Sequence, residues 1–284
     1  MSTLRAVCIL GPTGSGKTGA ALALARAFHD DRPVSVINYD SRQVYADFPI
    51  VTAQPDAKER AVCPHELYGF LPTAQAMTAA RFAELARAGI LRAREQGRVP
   101  VLVGGTGLYL RALEQGLADI PPVPQEVRDW VLARMEREGS AVLHTDLAKA
   151  DPPTARRLHP NDTQRITRAL EVFLGTGRPL SAWFEEQKLG STGVELCKVG
   201  LSYTLRELEP GLKQRIDQML GLGAVVELRR AWEATPERTA PGYSGIGCAE
   251  LLGHLLDGMD LAQTCGLWFR NTRAYAKRQL TWFA

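Results

Sequence analysis

Eight residues near the start of the chain follow the pattern G-x-x-x-x-G-K-[ST]: Gly11, Pro12, Thr13, Gly14, Ser15, Gly16, Lys17 and Thr18. An apolar run precedes them at 6–10, and an Ala/Leu-rich segment follows at 19–28, which is the strand, loop and helix context that this pattern needs. Glycines let backbone N–H groups turn inward around a phosphate, and the helix N-terminus adds the positive end of its dipole. We therefore predict a phosphate-binding loop, in which Lys17 reaches the outer phosphate and the Thr18 hydroxyl is a ligand of Mg²⁺.

Composition places the chain among ordinary soluble globular proteins. It has 284 residues, of which 45% are hydrophobic and 23% charged, with a net charge of only +3 that argues weakly for nucleic acid. No apolar run approaches the roughly 20 residues that span a bilayer, and the loop begins too early to leave room for a leader peptide. The five cysteines are scattered without a C-x-x-C pair, so neither zinc nor a disulfide framework is indicated. We expect a cytoplasmic protein without membrane contact.

Two further apolar runs end in polar or glycine-rich turns. The run 34–37 leads into 38–43, which contains Asp40, and the run 98–103 leads into Gly104-Gly105-Thr106-Gly107. Ligands of open α/β sheets bind at the carboxyl ends of the strands, so Asp40 and Thr106 should lie beside the phosphate-binding loop. Helical spacing over 78–96 predicts a helix between these strands, after a long irregular stretch at 49–72.

The pattern changes near Leu117. A proline-rich break at 120–124 is followed by charged helical stretches at 126–139, 140–150 and 162–175, and a strand-like run returns at 196–203. We predict an α/β fold: a P-loop NTPase-like parallel sheet with helices on both faces, and an all-helical insertion domain. The expected boundaries are 1–117 for the first part of the core, 118–194 for the insertion and 195–284 for the rest.

The residues alone leave several roles open. A kinase would need a second aspartate after the third strand and paired arginines in a lid, and neither is evident. Asp40 fits a metal ligand or a general base, or else a turn residue that accepts a hydrogen bond from its own backbone. The Thr106 hydroxyl would contact a substrate or cap a helix. On the helix after Asp162, the cluster of Gln164, Arg165 and Arg168 is either a solvated face or an anion-binding one.

Taken together, eight blocks of sequence resemble the tRNA dimethylallyltransferase (tRNA isopentenyltransferase) family. They are GPTGSGKT, NYDSRQVY, VTAQP with PHELYGF, VLVGGTGLYLRAL, PPVPQEVR, NDTQRITRALEVF with TGRPLS, RIDQML and NTRAYAKRQLTWF. The resemblance implies transfer of a dimethylallyl group from dimethylallyl diphosphate to the exocyclic N6 of the adenosine 3′-adjacent to the anticodon, in tRNAs that read UNN codons. The partners would be dimethylallyl diphosphate and the anticodon stem-loop of tRNA, with Mg²⁺ as cofactor and a monomeric enzyme.

The resemblance also implies roles for individual residues. Asp40 matches the base that takes the N6 proton, Thr106 the threonine near the reacting centre, and Arg215 an arginine that assists with the diphosphate. The tRNA contacts that it implies are Asp40, Ser41, Arg42, Gln43, Arg128, Gln164, Arg165, Ile166, Thr167 and Arg168. The main alternative is a P-loop kinase or NTPase acting on a small molecule or nucleoside, and a non-catalytic RNA-binding protein is a third. Nucleotide turnover would distinguish the kinase.

Overall fold

The computed structural model describes residues 3–28, 30–186 and 192–283, and its strands form one parallel sheet. The strands are β1 (Leu4–Leu10), β2 (Val34–Asn38), β3 (His65–Glu66), β4 (Val99–Val103) and β5 (Val194–Gly200). Their order is β3-β2-β4-β1-β5, and every pairing is parallel. The carboxyl ends of β1, β2 and β4 are therefore neighbours at one edge, as the phosphate-binding prediction requires.

Helices cover both faces of this sheet. The helices of the first half are α1 (Lys17–Ala27), α2 (Ala57–Val62), α3 (Ala79–Glu95) and α4 (Gly107–Gln115). Side chains alternate along a strand, so Cys8 and Leu102 pack with α3 and α4, whereas Ile9 and Val101 pack with α1. This arrangement confirms the predicted fold class.

The chain separates into two compact units, Met1–Gly116 with Ser191–Ala284, and Leu117–Gly190. We call the second the helical unit; the boundaries predicted from sequence were 118 and 194. It contains α5 (Gln125–Glu138), α6 (Ser140–Ala150), α7 (Pro152–Arg157), α8 (Thr163–Thr176) and α9 (Leu180–Glu186). Its core includes Val131, Leu143, Leu147 and Ile166. The short helices α7 and α9 were not predicted.

The last part of the chain is helical. It comprises α10 (Leu205–Gly221), α11 (Ala224–Ala234), a 3₁₀ turn (Pro241–Ser244), α12 (Cys248–Asp257) and α13 (Leu261–Phe283). These elements pack around the segment after β2, where Phe48, Val51, Tyr243 and Trp268 share one buried cluster. Within the described residues, no helix has the length and apolar character to cross a bilayer.

Two sequence predictions need correction. The stretch 49–72 is not wholly irregular, because it contains α2 and the two-residue strand β3. Asp56 and Glu59 form a capping box at the start of α2, a signal that the sequence carried in the spacing D-x-x-E. The last strand is Val194–Gly200, not 196–203, because β5 follows the register of β1 and ends where Leu10 ends.

Candidate active site

The loop between β1 and α1 has the conformation that its glycines permit. Gly14 and Gly16 have φ values of 80° and 79°, in the left-handed region that disfavours residues with a Cβ. A Cβ on Gly14 would also lie 2.6 Å from Leu212 Cδ2. Helix α1 begins at Lys17, so its first N–H groups face the loop without helical partners.

Lys17 folds back onto this loop. Its Nζ donates to the carbonyl oxygens of Gly11 (2.9 Å) and Pro12 (2.6 Å). Burial lowers the pKa of Lys17 to about 8, with Asp40 raising it and Arg215 lowering it further. An ammonium that leaves two carbonyls for a phosphate would gain a charged partner, which suits the role predicted for it.

Asp40 is held by a short polar turn at the end of β2. Its N–H donates to Asn38 Oδ1 (2.8 Å), and Asn38 Nδ2 donates to the carbonyls of Asp40 (3.0 Å) and Leu67 (2.9 Å). Asp40 Oδ1 accepts from the Arg42 N–H at 2.8 Å, so the turn role considered from the sequence is real. Oδ2 has no hydrogen-bond partner among the described residues, and the side chain lines the pocket described below. One oxygen fixes the carboxylate while the other is free for chemistry.

The Thr106 hydroxyl does not cap a helix. Thr106 is the residue before α4, yet its side chain makes no capping bond. Instead Oγ1 accepts from the Ser41 N–H (2.9 Å) and donates to Ser41 Oγ (3.2 Å). The structure thus turns this hydroxyl toward the Asp40–Ser41 turn.

Glycines after β4 allow the turn that follows β4 to approach the turn that follows β2. A Cβ on Gly104 would lie 2.4 Å from the Tyr39 carbonyl carbon and 2.6 Å from the Asp40 nitrogen. A Cβ on Gly107 would lie 2.3 Å from the Trp282 ring. These positions are glycine because backbone and ring atoms occupy the space of a side chain.

An open pocket of about 620 Å³ lies at this edge of the sheet. The loop residues Lys17 and Thr18, the turn residue Asp40, and Arg215 of α10 all line it. Arg215 is partly buried and has no hydrogen-bond or ion-pair partner within the described part of the chain; burial lowers its pKa, and Asp40 raises it. The lining also includes the cations Arg42 and Arg278 and the carboxylate Glu59. A pocket in which cations outnumber carboxylates suits an anionic substrate that reacts beside a base.

Arg42 and Gln43, which were predicted to contact tRNA, line the pocket and also hold its walls. Arg42 Nη1 donates to Ser244 Oγ (2.8 Å) and lies over the Tyr45 ring. Gln43 Nε2 donates to the carbonyls of Thr52 (3.0 Å) and Ala53 (2.7 Å). Any RNA contact from these side chains has to coexist with, or replace, these bonds.

The remaining predicted RNA contacts belong to the helical unit. Gln164, Arg165 and Arg168 are exposed on α8, where Arg165 pairs with Asp162 and Arg168 with Glu171, both at 3.3 Å. Arg128, on α5, is partly buried, and its Nε has no partner among the described residues.

Two of the predicted RNA contacts require correction. Ile166 is fully buried in the core of the helical unit. Thr167 is 5% exposed, and its hydroxyl donates to the Thr163 carbonyl at 2.6 Å. These side chains stabilise α8 and are not accessible to RNA, because they lie on the opposite face from the exposed cations.

Sequence reasoning missed the contribution of α13 to the site. Thr272, Tyr275 and Arg278 line the pocket, and the buried Gln279 bonds to both glycine loops. Thr272, Tyr275 and Arg278 are three residues apart, which is visible in the sequence, but that spacing does not indicate which pocket the helix reaches. On the same helix, Arg273 pairs with Glu209 at 2.5 Å.

Mg²⁺ was predicted with Thr18 as ligand. The Thr18 side chain lines the pocket and has no hydrogen-bond partner within the described ranges. No group of three or more His, Cys, Asp or Glu side chains able to hold a metal occurs among the described residues. This donor set fits an ion held largely by substrate oxygens and water, with one protein hydroxyl.

Comparison with known sequences gives one consistent result. A family model described as IPP transferase matches residues 43–284. A tRNA dimethylallyltransferase of Maridesulfovibrio salexigens is 53% identical over 277 residues, which are 98% of this chain and 89% of the relative. One of Rhodopseudomonas palustris is 42% identical, with 98% and 86% of the two chains covered. At this coverage both matches extend over positions 11–18 and 40, which precede the family match.

Solved structures give a similar result. The tRNA isopentenylpyrophosphate transferase of Bacillus halodurans superposes with a TM-score of 0.68 at 33% identity, covering 99% of this chain and 86% of the other. A eukaryotic dimethylallyltransferase acting on tRNA gives a TM-score of 0.78 at 31% identity, covering 98% and 69%.

Proposed function

The chain belongs to the IPP transferase family and transfers a dimethylallyl group to tRNA, and from this premise we propose that the pocket around Lys17 and Asp40 is where the transfer occurs. The observation that supports this most directly is that one pocket contains both the phosphate-binding loop and Asp40, whose Oδ1 is hydrogen-bonded and whose Oδ2 has no partner among the described residues. The kinase alternative is not favoured, since the relatives are named as transferases of the dimethylallyl group.

The loop binds the diphosphate of dimethylallyl diphosphate. Its substrate-binding residues are Gly11, Pro12, Thr13, Gly14, Ser15, Gly16, Lys17 and Thr18. Lys17 exchanges its bonds to the Gly11 and Pro12 carbonyls for phosphate oxygens. Arg215, which has no partner in the described part of the chain, supplies a second cation. Both positive charges stabilise the negative charge that develops on the leaving diphosphate as the allylic C–O bond breaks.

Thr18 would be the protein ligand of Mg²⁺. Bound to the diphosphate, the ion would neutralise part of its charge and make it a better leaving group. The hydroxyl has no hydrogen-bond partner among the residues that the structure describes and lines the same pocket as Lys17, which supports this assignment.

Asp40 acts as the base. As the bond from N6 to the allylic carbon forms, the proton on N6 passes to Asp40 Oδ2, and diphosphate leaves with the electrons of the broken C–O bond. An exocyclic amine is a weak nucleophile because its lone pair is conjugated with the ring, so removal of its proton lowers the barrier. Oδ1 keeps the carboxylate in place through the Arg42 N–H. Thr106 supports the same turn through Ser41.

The acceptor is the N6 of the adenosine 3′-adjacent to the anticodon, in tRNAs reading codons that begin with U; this detail rests on the family resemblance. A base in a stacked anticodon loop has to leave the stack to reach a pocket. Ser41, Arg42 and Gln43 line the pocket and are proposed to contact the base that enters it. Arg128, Gln164, Arg165 and Arg168 of the helical unit are proposed to bind the RNA backbone.

The test measures diphosphate release. The enzyme receives dimethylallyl diphosphate and Mg²⁺ with an anticodon stem-loop that carries adenosine at the acceptor position, or guanosine there as the matched control. We expect release, with one prenyl group gained per diphosphate, only with adenosine. Release that is independent of the acceptor base, or consumption of ATP without prenylation, would overturn the proposal.

A further inference from the structure

We propose that Gln279 is a positioning residue for the transfer reaction, because it holds the phosphate-binding loop and the turn after β4 at a fixed spacing. The proposal rests on the proposed function of this pocket. It concerns a side chain on the last turns of α13, far along the chain from both loops that it joins.

Both halves of the Gln279 amide are engaged. Its Oε1 accepts from the Thr13 N–H at 2.8 Å, and its Nε2 donates to the Gly105 carbonyl at 2.8 Å. The residue is only 4% exposed. A buried amide with complementary partners on either side is a specific link, since an apolar side chain of equal size would leave both partners unsatisfied.

The Gln279 amide packs tightly against Gly105. A Cβ at Gly105 would lie 2.1 Å from Gln279 Nε2, so the turn contacts the amide directly. Tyr275 Oη donates to the same Gly105 carbonyl at 3.3 Å. That Cβ position is also 3.5 Å from Asp40 Oδ2. The Gln279 amide nitrogen and the oxygen proposed to take the proton therefore both adjoin the space where a Cβ on Gly105 would lie.

The consequence is geometric. The leaving group binds to the loop that contains Thr13, while the base lies against the turn that contains Gly105. Gln279 joins these two supports, so it sets the distance between the breaking C–O bond and the proton acceptor without contacting substrate. Misplacement of about 1 Å by a remote change costs on the order of 100-fold in rate.

Two variants separate positioning from packing. Gln279→Met keeps the size and removes both bonds; we expect kcat to fall about 10- to 100-fold, with the KM for the stem-loop within about twofold of wild type. Gln279→Glu keeps an oxygen that accepts from the Thr13 N–H, but its ionised carboxylate cannot donate to the Gly105 carbonyl. When this carboxyl group is protonated, its O–H donates to that carbonyl and both bonds are restored.

The decisive readout is therefore a pH profile. Relative to wild type at each pH, we expect the kcat of Gln279→Glu to rise about tenfold from about pH 8.5 to about 5.5, while the ratio for Gln279→Met stays flat. The surrounding elements also carry titratable or charged groups: Lys17 at the start of α1, Asp40 after β2, and Tyr275 and Arg278 on α13. All are also present in wild type and in Gln279→Met, so a ratio that changes with pH only in Gln279→Glu is attributed to the new carboxyl group.

Gln263→Met, at an exposed position on α13, is the matched control and should keep wild-type kcat. A folded Gln279→Met enzyme with wild-type kcat overturns the proposal, and so does a flat ratio for Gln279→Glu. Thermal denaturation at each pH shows whether the variants are folded. If Gln279→Met does not fold, the pH dependence of kcat for Gln279→Glu relative to wild type still tests the proposal. Wild type that releases no diphosphate would instead refute the proposed function.

Discussion

The two oxygens of Asp40 have different surroundings, and this difference predicts how substitutions will behave. Asp40→Asn retains an oxygen that accepts from the Arg42 N–H, so the turn should keep its shape. It cannot take a proton from N6. We expect kcat to fall about 10²- to 10⁴-fold with nearly unchanged affinity for the stem-loop, measured by single-turnover prenylation and equilibrium binding.

Asp217→Asn, an exposed change on α10, is the control for the loss of one carboxylate and should leave kcat unchanged. An Asp40→Asn enzyme with full turnover would rule out the base assignment. Loss of RNA binding in step with turnover would mean that Asp40 binds the acceptor and does not take its proton.

Lys17 makes a separate prediction about pH. Its pKa of about 8 means that the ammonium is present below pH 8 and is lost as the pH rises through that value. Because the diphosphate binds the charged form, kcat/KM for dimethylallyl diphosphate should fall about tenfold per pH unit above pH 8. The ratio of wild type to Lys17→Met, measured across the same range, isolates this group. A constant ratio would show that Lys17 is not the titrating group.

At the residue scale, sequence patterns found the groups with a motif and missed those whose role depends on contact. Lys17 and Thr18 are part of a spaced pattern. Asn38 and Gln279 carry no charge and belong to no chemical motif, and Gln279 meets Thr13 across 266 positions of the chain. Periodicity predicts that such a residue is helical, but it does not identify the loop that the amide reaches.

At the scale of elements, glycines that look alike in the sequence have different constraints. Gly104 follows β4 and has the Tyr39–Asp40 backbone where its Cβ would be, whereas Gly19 in α1 has nothing within 4 Å of the corresponding position. Gly104→Ala should therefore destabilise the fold by about 1–3 kcal/mol through overpacking. It should also lower kcat, because it pushes the Asp40 turn away from β4.

Gly19→Ala is the matched comparison and should stabilise the protein by about 0.5–1 kcal/mol through helix propensity. Denaturant unfolding of both variants measures the difference. A Gly104→Ala protein as stable and active as wild type would contradict the close approach of the two turns.

The elements themselves were predicted where one pattern was strong. The spacing over 78–96 corresponds to α3, Ala79–Glu95, with Thr78 as its N-cap accepting from the Arg81 N–H. The two-residue strand β3 is too short for alternation to show, and it exists because Val36 and Ile37 of β2 offer it a partner. Long amphipathic helices carry their own evidence, whereas a short edge strand depends on its neighbour.

At the scale of the molecule, the catalytic groups and the exposed cations of α8 belong to different units. The sequence indicated this division by the change in pattern after Leu117, since helix-only stretches replaced alternating strands and helices. It could not show which side of α8 is exposed. That required the packing of Ile166 into the core of the helical unit, which leaves Arg165 75% exposed.

The exposed arginines allow binding and chemistry to be separated. Arg165→Gln with Arg168→Gln removes two exposed cations, whose pairs with Asp162 and Glu171 at 3.3 Å are weak because the arginine side chains stay open to solvent. We expect the Kd for tRNA to rise about tenfold, and the slope of log K against log salt to fall by about one per arginine. At saturating tRNA, kcat should remain that of wild type, because neither residue belongs to the unit that holds Lys17 and Asp40.

Arg137→Gln with Arg156→Gln makes the same change of charge in the same unit, on α5 and α7. If affinity for tRNA depends on net charge alone, the two double variants will weaken binding equally. If α8 contacts the backbone, only the α8 pair will change the salt slope, since the slope counts the phosphates that are neutralised. A fall in kcat at saturating tRNA for the α8 pair would contradict the division of labour and would mean that this helix also positions the acceptor base.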